Sequence, residues 1–166
     1  MLRALHISDW HTNGDSFKTR MDHELKAIPN FQEPNLIVMS GDMVINTANY
    51  DQNRIIEGEF QRLHFTDMLD YCWQIFPGVD VIGVRGNHDF FDYGISGDHH
   101  SGLDIFAING YKIASVRGVP YHVGGWNDEW VESKLLLAAN AIPDDTQILI
   151  THAPPWGILD DVRDVP

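Results

Sequence analysis

The sequence predicts a layered α/β fold in which the sheet is partly mixed. Short apolar runs typical of buried strands alternate along the chain with longer segments of helical periodicity. The alternation then gives way to two strand-like runs around Asn109-Gly110, and an Asn-Gly pair is the strongest short signal for a hairpin with a type I′ turn. Alternating strands and helices, followed by a hairpin, favour an α/β domain with a mixed sheet.

Six apolar runs are predicted to be strands, and three longer segments are predicted to be helices. The strands are 2–8, 35–40, 80–85, 105–108, 111–116 and 147–151, and the helices are 16–28, 51–76 and 127–140. We expect Ser16 to cap the first helix and Pro29 to stop it, and Pro77-Gly78 to end the second. The residues of the third helix expected to face the core are Leu135, Leu136 and Ala139. Residues 92–102, rich in Gly, Ser, Asp and His, are expected to form a loop.

The composition is that of one acidic globular domain. With 166 residues, of which 43% are hydrophobic, the chain is long enough to bury a core. The 11 Lys and Arg against 24 Asp and Glu give a net charge of −13, which disfavours broad contact with nucleic-acid phosphates. Cys72 is the only cysteine, so no disulfide can form within the chain, and we expect a buried thiol. Neither a signal peptide nor a membrane-length apolar run is recognisable, which predicts a cytoplasmic protein with no membrane partner.

Four segments end an apolar run with residue types that bind metals. They are Ile7-Ser8-Asp9-Trp10-His11, Met39-Ser40-Gly41-Asp42, Val84-Arg85-Gly86-Asn87-His88-Asp89 and Ile150-Thr151-His152-Ala153-Pro154-Pro155. Sites in open α/β sheets lie beyond the carboxyl ends of the strands, so the four segments predict one site built from several strand ends. Carboxylate, amide and imidazole ligands suit Mn, Fe, Zn or Mg-like ions. The pattern indicates a phosphoester hydrolase with two metals.

The first two motifs each have a chemical interpretation and a plainer alternative. Asp9 and His11 lie two apart in an extended segment, so their side chains point the same way and can share one ion. The alternative is a turn Asp beside a surface His. Asp42 follows Gly41, which lets the backbone turn sharply, and its two carboxylate oxygens can bridge two ions. The alternative is a plain turn Asp.

The Gly86-Asn87-His88-Asp89 motif is the most specific of the four. Asn87 offers a neutral amide oxygen to a metal. His88 can protonate a leaving oxygen, since the ordinary pKa of histidine lies near neutrality. Asp89 can accept a hydrogen bond from the imidazole and fix its tautomer. The alternative is an Asn-rich turn that follows a strand.

Taken together and in order, the motifs resemble those of the calcineurin-like metallophosphoesterases. The residues that carry the resemblance are Asp9-X-His11, Gly41-Asp42, Gly86-Asn87-His88-Asp89 and His152. The resemblance covers nearly the whole chain, and residues 142–160 look closest to a small single-domain branch that includes cyclic-nucleotide phosphodiesterases. It implies a four-layer α/β/β/α sandwich with mixed sheets and two divalent metal ions as cofactors. It also implies hydrolysis of a small, nucleotide-like phosphoester by a metal-activated water.

The resemblance further implies a role for each motif residue. The metal ligands would be Asp9 and His11 on the first ion, Asp42 as a bridge, and Asn87 and His152 on the second ion. The catalytic residues would be His88, acting on the leaving group, and Asp89 behind it. Arg85 and Asn87 would bind the substrate phosphate, which a guanidinium suits through its paired donors. A structural ion pair is the alternative for Arg85.

The sequence departs from the family pattern in two places. The position three after Asp42, usually Asp or Asn, is Ile45, with Asn46 one step later, which predicts that a supporting contact is missing. The Gly-His-X-His motif that would complete both metal sites does not occur before Pro166. We therefore expect a single domain over residues 1–166 that is incomplete at its C-terminal end, binds metal weakly and exposes a sheet edge prone to self-association. Candidate replacement ligands are His99, His100, His122, Asp160, Asp161 and Asp164.

Several alternatives stay open on these residues. The chain is a fragment of a longer enzyme, a naturally short protein that takes ligands from elsewhere, or a degenerate family member that acts as a non-catalytic binding domain. A nuclease is disfavoured by the acidic charge, and only Arg85 favours a protein phosphatase. Three tryptophans, Trp126, Trp130 and Trp156, can line a nucleobase pocket, and Trp10 can shield the metals. Core packing is the alternative for each of the four.

Overall fold

The computed structural model describes residues 1–47, 53–94, 102–122 and 124–154. The helices among them are α1 (Gly14–Ala27), α2 (Arg54–Ile75) and α3 (Glu132–Asn140). The strands are β1 (Ala4–Ile7), β2 (Leu36–Met39), β3 (Asp80–Gly83), β4 (Leu103–Ile108), β5 (Tyr111–Val116), β6 (Val119–Pro120), β7 (Glu129–Trp130) and β8 (Ile148–Thr151). Helices occur together with parallel and antiparallel strands, so the predicted α/β class is confirmed.

The first sheet consists of β1, β2 and β3, which are all parallel, with β2 in the centre. Both faces of β2 are buried, so its side chains alternate between two cores. Ile37 and Met39 pack with the helices α1 and α2, whereas Leu36 and Val38 pack with the second sheet. A strand buried on both faces has a continuous apolar sequence, and this is the pattern that predicted the strand.

Helices α1 and α2 cover one face of the first sheet. Their buried side chains include Phe17, Met21, Phe65 and Met68, each at most 2% exposed. Cys72 of α2 is fully buried in the same core, as predicted, and this burial raises the pKa of its thiol to about 12. No helix in the described part of the chain combines the length and the apolar character needed to cross a membrane.

The second sheet has the strand order β4-β5-β8 and is mixed. β4 pairs with β5 in antiparallel orientation, and β5 pairs with β8 in parallel orientation. The hairpin turns at Asn109 and Gly110, whose φ angles of 52° and 82° match the two central positions of a type I′ turn, so the hairpin prediction is confirmed. Ile113 of β5 packs in the core between the two sheets. On the opposite face of β5, Val116 packs with Ala138 of α3.

The first two helices differ from the predictions at their N-terminal ends. α1 begins at Gly14 and is capped by Asn13, whose Oδ1 accepts from the Ser16 N–H at 2.9 Å, so Ser16 is not the cap. α2 is capped by Asn53, which accepts from two N–H groups of the first turn. Asn is a favoured N-cap because its short side-chain oxygen reaches N–H groups that have no partner within the helix. Most of the predicted loop 92–102 lies outside the described residues.

The third helix is shorter than predicted. Glu129–Trp130 form β7, which pairs with β6, and α3 starts two residues later. Ala138 is buried and Leu135 is half-buried, whereas Leu136 is 54% exposed and Ala139 is exposed. The prediction of inward-facing residues was therefore wrong for Leu136 and Ala139. The helix meets the sheet through residues three apart on another face, and which face that is depends on the sheet beneath it.

Candidate metal centre

The segments that follow β1 and β2 are joined by backbone hydrogen bonds. The N–H of Asp9 donates to the Gly41 carbonyl, and the N–H of His11 donates to the Asp42 carbonyl, each at 3.0 Å. Asp9, His11 and Asp42 have φ angles of 55°, 45° and 53°, a left-handed conformation that costs about 1–2 kcal/mol for residues with a Cβ. Strain of this kind persists only where the surrounding structure holds it, and it concentrates at functional sites. The backbone of three predicted metal ligands is thus fixed beyond the carboxyl ends of β1 and β2.

Two glycines allow the strand ends to approach more closely than other residues would. A Cβ on Gly41, whose φ is +102°, would lie 2.5 Å from both the Gly86 nitrogen and His152 Nδ1. A Cβ on Gly86 would lie 2.1 Å from Asp42 Oδ1. The glycines of the Gly-Asp and Gly-Asn-His-Asp motifs are therefore needed for the contact between the ends of β2, β3 and β8.

The five predicted metal ligands converge on this contact. One ligand atom from each of Asp9, Asp42 and His152 lies within 4.8 Å of the others. His11 Nε2 is 3.7 Å from Asp42 Oδ2, and His152 Nε2 is 3.4 Å from the same oxygen. Asn87 Oδ1 is 3.1 Å from His152 Nε2. Side chains that follow four different strands, β1, β2, β3 and β8, thus form one cluster.

The donor set and its protonation fit a divalent metal. His152 Nδ1 is 2.8 Å from the Ser40 carbonyl, which accepts a hydrogen bond from Nδ1–H and leaves Nε2 facing Asp42 and Asn87. A second hydrogen bond of this kind orients metal-binding histidines. Burial alone would lower the pKa of His152, but the hydrogen bond and charge of Asp42 and the Ser40 carbonyl raise it to about 9. A cation at Nε2 is therefore favoured, and a metal ion can replace the proton.

The carboxylate of Asp42 is the centre of the cluster. It is 3% exposed, and burial alone would raise its pKa. The hydrogen bond and charge of His152 and the backbone N–H of His88, which donates to Oδ1 at 2.9 Å, outweigh burial and lower the pKa. Asp42 is thus a carboxylate at neutral pH, as a metal ligand must be.

The ring of His88 lies beside this cluster and is held by Asn46. His88 Nδ1 is 2.8 Å from Asn46 Oδ1, and Asn46 Nδ2 donates to the His88 carbonyl at 3.0 Å. The Trp126 ring centroid is 3.9 Å from that of His88. The expectation that Asp89 contacts the ring was therefore wrong, and so was the expectation that Ile45 leaves a contact missing. Asn46 reaches His88 although it stands one residue later than in the family pattern, because no regular strand follows Asp42. Within a strand, a shift of one residue would turn the side chain to the opposite face.

The two contacts of Asn46 also determine which nitrogen of His88 carries a proton. Because Asn46 Nδ2 donates to the His88 carbonyl, Oδ1 faces the ring and accepts from Nδ1–H, and Nε2 stays available for proton exchange. Burial lowers the pKa of His88, the charge of Asp42 raises it, and His11 and His152 lower it further. The net result is a pKa below the ordinary 6.5.

Asp89 connects the ends of β2 and β3. It is fully buried, and its Oδ2 accepts from the N–H groups of Asp42 and Gly86, both at 2.8 Å, and from the Tyr93 hydroxyl at 2.7 Å. Burial and the charge of Asp42 raise the pKa of Asp89 to about 6, although the three donors lower it. Asp89 therefore accepts hydrogen bonds from the backbone of Asp42 and Gly86, whereas the ring of His88 is hydrogen-bonded to Asn46.

Arg85 forms an ion pair, which was the alternative to its predicted role in binding the substrate phosphate. Its Nη2 is 2.9 Å from Asp128 Oδ2, with side-chain exposures of 17% and 13% for the two residues. Its Nη1 also donates to the Phe91 carbonyl at 3.3 Å. A substrate phosphate would have to compete with Asp128 for this guanidinium.

Two residues that support the third motif were missed in the sequence. Asn127 donates from its side chain to the Asp89 carbonyl at 2.7 Å and from its backbone to the Asn87 carbonyl at 2.9 Å. Gln61 of α2 is fully buried and bonds to backbone on both sides of Asp89. A polar residue on the buried face of a predicted helix is a signal that could have identified Gln61. Asn127 carries no comparable signal.

The remaining candidates are distributed over the fold. Trp130 is 6% exposed and packs in the core near α3. Trp10 is half-buried, with its ring centroid 5.1 Å from that of Phe17 and the Arg20 guanidinium 4.4 Å above it. His122 is exposed and does not belong to the group of potential ligands found among the described residues. The candidates outside the described residues are His99, His100, Trp156, Asp160, Asp161 and Asp164.

Comparison with known proteins agrees with this geometry. The family model described as calcineurin-like phosphoesterase matches residues 2–165. The chain therefore belongs to the calcineurin-like phosphoesterases, a hydrolase family that acts on phosphoesters with divalent metals. A search of the curated proteins found no match to the chain.

Proposed function

We propose that the protein is a dinuclear metal-dependent phosphoester hydrolase that acts on a small, nucleotide-like substrate. The observation that carries the proposal is the environment of Asp42 Oδ2, which is 3.7 Å from His11 Nε2 and 3.4 Å from His152 Nε2. One buried carboxylate oxygen thus lies between a histidine that follows β1 and a histidine that follows β8, a position from which Asp42 could bridge two ions. A buried carboxylate also needs compensating positive charge, which two cations would supply.

The residues of the cluster divide into two sets around this carboxylate. Asp9 and His11 would hold one ion, Asn87 and His152 would hold the other, and Asp42 would contact both. Ions such as Mn, Fe, Zn or Mg would, when bound, act as Lewis acids on the phosphoryl oxygens and supply a nucleophilic water at neutral pH. Because the backbone at three of these residues is already fixed by hydrogen bonds or close contacts, little reorganisation is needed at the reacting centre.

His88 would assist the leaving group. Asn46 occupies its Nδ1, so the proton that reaches the leaving oxygen comes from Nε2. The Trp126 ring packs against that of His88, with the ring centroids 3.9 Å apart, and would present an aromatic surface to a nucleobase. Arg85 and Asn87 are the candidate contacts for the phosphate itself, with Arg85 in competition with Asp128.

The scale of the substrate and the layout of the domain complete the proposal. The net charge of −13 favours a small phosphodiester or phosphate monoester over a long nucleic acid.

We place residues 1–166 in one domain, with α1 and α2, the first sheet, the second sheet and α3 as the layers of an α/β/β/α sandwich. The core between the helices and the first sheet, the core between the two sheets and the core under α3 support this order. The cytoplasmic location stays a prediction.

The test combines metal binding with hydrolysis. Metal-free protein is titrated with Mn²⁺ and assayed on bis(4-nitrophenyl) phosphate, 4-nitrophenyl phosphate and cyclic nucleotides. We expect up to two Mn²⁺ per chain and metal-dependent hydrolysis, both lost in Asp42→Asn because an amide cannot bridge two cations. His23→Gln, a change at an exposed histidine of α1, is the matched control and should change neither. Hydrolysis that survives chelators, or that persists in Asp42→Asn, would refute the proposal.

A further inference from the structure

Helix α2 presents a short polar face to the segments around Thr47 and His88. Glu57 is 1% exposed and Gln61 is fully buried, and the two lie one helical turn apart. A buried polar side chain is unfavourable unless its hydrogen-bonding groups are satisfied. The partners of these two residues therefore show what the polar face does.

Gln61 bonds to the backbone on both sides of Asp89. Its Nε2 donates to the His88 carbonyl at 2.9 Å, and its Oε1 accepts from the Phe90 N–H at 2.8 Å. Both ends of one amide are thus used on the segment that carries His88. The segment follows β3, so the position of His88 relative to the metal cluster depends directly on α2.

Glu57 holds the second segment that contacts His88. Its carboxylate accepts from the Thr47 N–H at 2.9 Å and from the Thr47 hydroxyl. Thr47 directly follows Asn46, whose side chain contacts both the ring and the carbonyl of His88. The two polar residues of α2 therefore hold the backbone of His88 and, through Thr47 and Asn46, its ring.

Gly58 lets the helix approach the segment this closely. A Cβ at Gly58 would lie 2.6 Å from the Phe90 carbonyl oxygen, a distance that real side chains do not adopt. Glycine inside a helix is unfavourable because of the backbone freedom that it loses. Its presence between Glu57 and Gln61 is explained by the close contact with Phe90.

We propose that Gln61 is a positioning residue for His88, with Glu57 and Gly58 completing the contact. The inference rests on the proposed function, because it assumes that His88 acts on the leaving group. Its effect is through placement: a displacement of about 1 Å at a catalytic group can reduce the rate on the order of 10²-fold. We expect the metal ligand Asn87 to stay in place without Gln61, because its side chain contacts His152 and its carbonyl accepts from the Asn127 N–H, whereas His88 would lose its alignment.

The decisive variant is Gln61→Met, which keeps a long side chain but removes both hydrogen bonds. We expect kcat for an alkyl phosphodiester to fall about 10- to 100-fold, with KM and Mn²⁺ affinity within about twofold of wild type. The loss should be smaller for a 4-nitrophenyl ester, because a good leaving group needs less protonation.

A second measurement separates positioning from stability. The His88 N–H donates to Asp42 Oδ1 at 2.9 Å, a bond that Gln61 does not touch. In metal-free Gln61→Met, we expect faster amide hydrogen exchange at His88 as well as at Phe90. Met68→Ala, which opens a cavity in the fully buried core of the same helix, is the control: it should lower Tm and leave the leaving-group dependence unchanged.

The outcomes distinguish this inference from the proposed function. If Gln61→Met lowers Tm but keeps the wild-type leaving-group dependence and the wild-type exchange rate at His88, Gln61 is only structural and the inference is wrong. If wild-type protein loaded with Mn²⁺ hydrolyses no phosphoester, the proposed function fails. The exchange rates of His88 and Phe90 in the metal-free variant then still decide whether Gln61 holds the segment.

Discussion

Replacing Gly86 by alanine tests the geometry of the metal centre through a single added carbon. The φ angle of Gly86 is not among the left-handed ones, so alanine can adopt this backbone and the effect is steric. The new Cβ would lie 2.1 Å from Asp42 Oδ1 and 2.7 Å from the Asp42 nitrogen. Rotation of the carboxylate cannot relieve the second contact, because the nitrogen belongs to the backbone. The segment must therefore shift by about 1 Å, the order at which misplacement becomes costly at a site.

The shift caused by Gly86→Ala would displace Asp42 Oδ2, the proposed bridging oxygen. Asp42 Oδ2 is within 3.7 Å of both His11 Nε2 and His152 Nε2, so moving it disturbs both proposed ion sites together. Changes to residues that support metal ligands typically weaken affinity by 10- to 100-fold. We expect Gly86→Ala to weaken Mn²⁺ binding to the same extent.

Thermal unfolding with and without Mn²⁺ measures this loss. At a Mn²⁺ concentration about 100 times the wild-type Kd, binding stabilises the wild type by about 2.7 kcal/mol, which for a chain of this size raises Tm by roughly 5–10 °C. In Gly86→Ala the stabilisation should fall to about 0.4–1.4 kcal/mol. Titration calorimetry on the metal-free proteins provides Kd independently.

The control is Gly110→Ala in the hairpin turn. Gly110 has a φ of +82° and open space around its Cβ position, so alanine there should lower the free energy of unfolding by about 1–2 kcal/mol. Its Mn²⁺-induced rise in Tm should equal that of the wild type. The reasoning fails if Gly86→Ala keeps the full Mn²⁺-induced rise, because the close approach of β2 and β3 would then have no bearing on metal binding.

Three further predictions concern protonation and metal affinity. His88→Gln should lower kcat by about 10²–10⁴-fold for poor leaving groups, with metal content intact. The difference in kcat between wild type and variant should shrink above pH 6.5, because the pKa of His88 lies below that value and the ring loses its proton. An equal loss for good and poor leaving groups would show that His88 does not protonate the leaving group. In metal-free protein the raised pKa of His152, about 9 against an ordinary 6.5, stabilises the folded state fully below pH 6.5 and is lost as the pH rises through 9. Urea unfolding should show roughly 3 kcal/mol of decline over that window, absent in His152→Gln. Because no Gly-His-X-His motif occurs before Pro166, the isolated chain should bind Mn²⁺ weakly and hydrolyse slowly. Tight binding of two ions with rapid turnover would contradict this and would mean that residues such as His99, His100 or His122, or a neighbouring chain, complete the site.

Local patterns were sufficient for the hairpin and the six longer strands, but not for the two-residue strands β6 and β7. Asn109-Gly110 predicts its own turn because both positions need φ angles that this pair adopts easily. The apolar run of β2 predicts a strand buried on both faces without reference to any other element. The helix starts were less predictable, since Asn13 and Asn53 compete with nearby polar residues for the capping position and only the packed helix decides between them.

The supporting contacts of the centre depended on residues far apart in the chain. Asn46 was expected to be misplaced, yet it holds the His88 ring, because the irregular segment after β2 does not impose the alternation of a strand. Gln61 lies 27 residues before His88 and bonds its carbonyl. A pattern in one segment carries no information about such a partner, because the contact exists only once α2 has packed on the sheet.

The sequence by itself determined the α/β class, the family and the five residues that converge at the strand ends. It did so because strand periodicity and strand-end position are local properties, and parallel strands bring their carboxyl ends to one edge. Only the tertiary structure decided that Asp89 holds the backbone of Asp42 and Gly86, that Asn46 holds His88 and that Arg85 pairs with Asp128. These pairings depend on the relative positions of packed elements to within a few tenths of an ångström. Residue order alone does not specify positions so accurately.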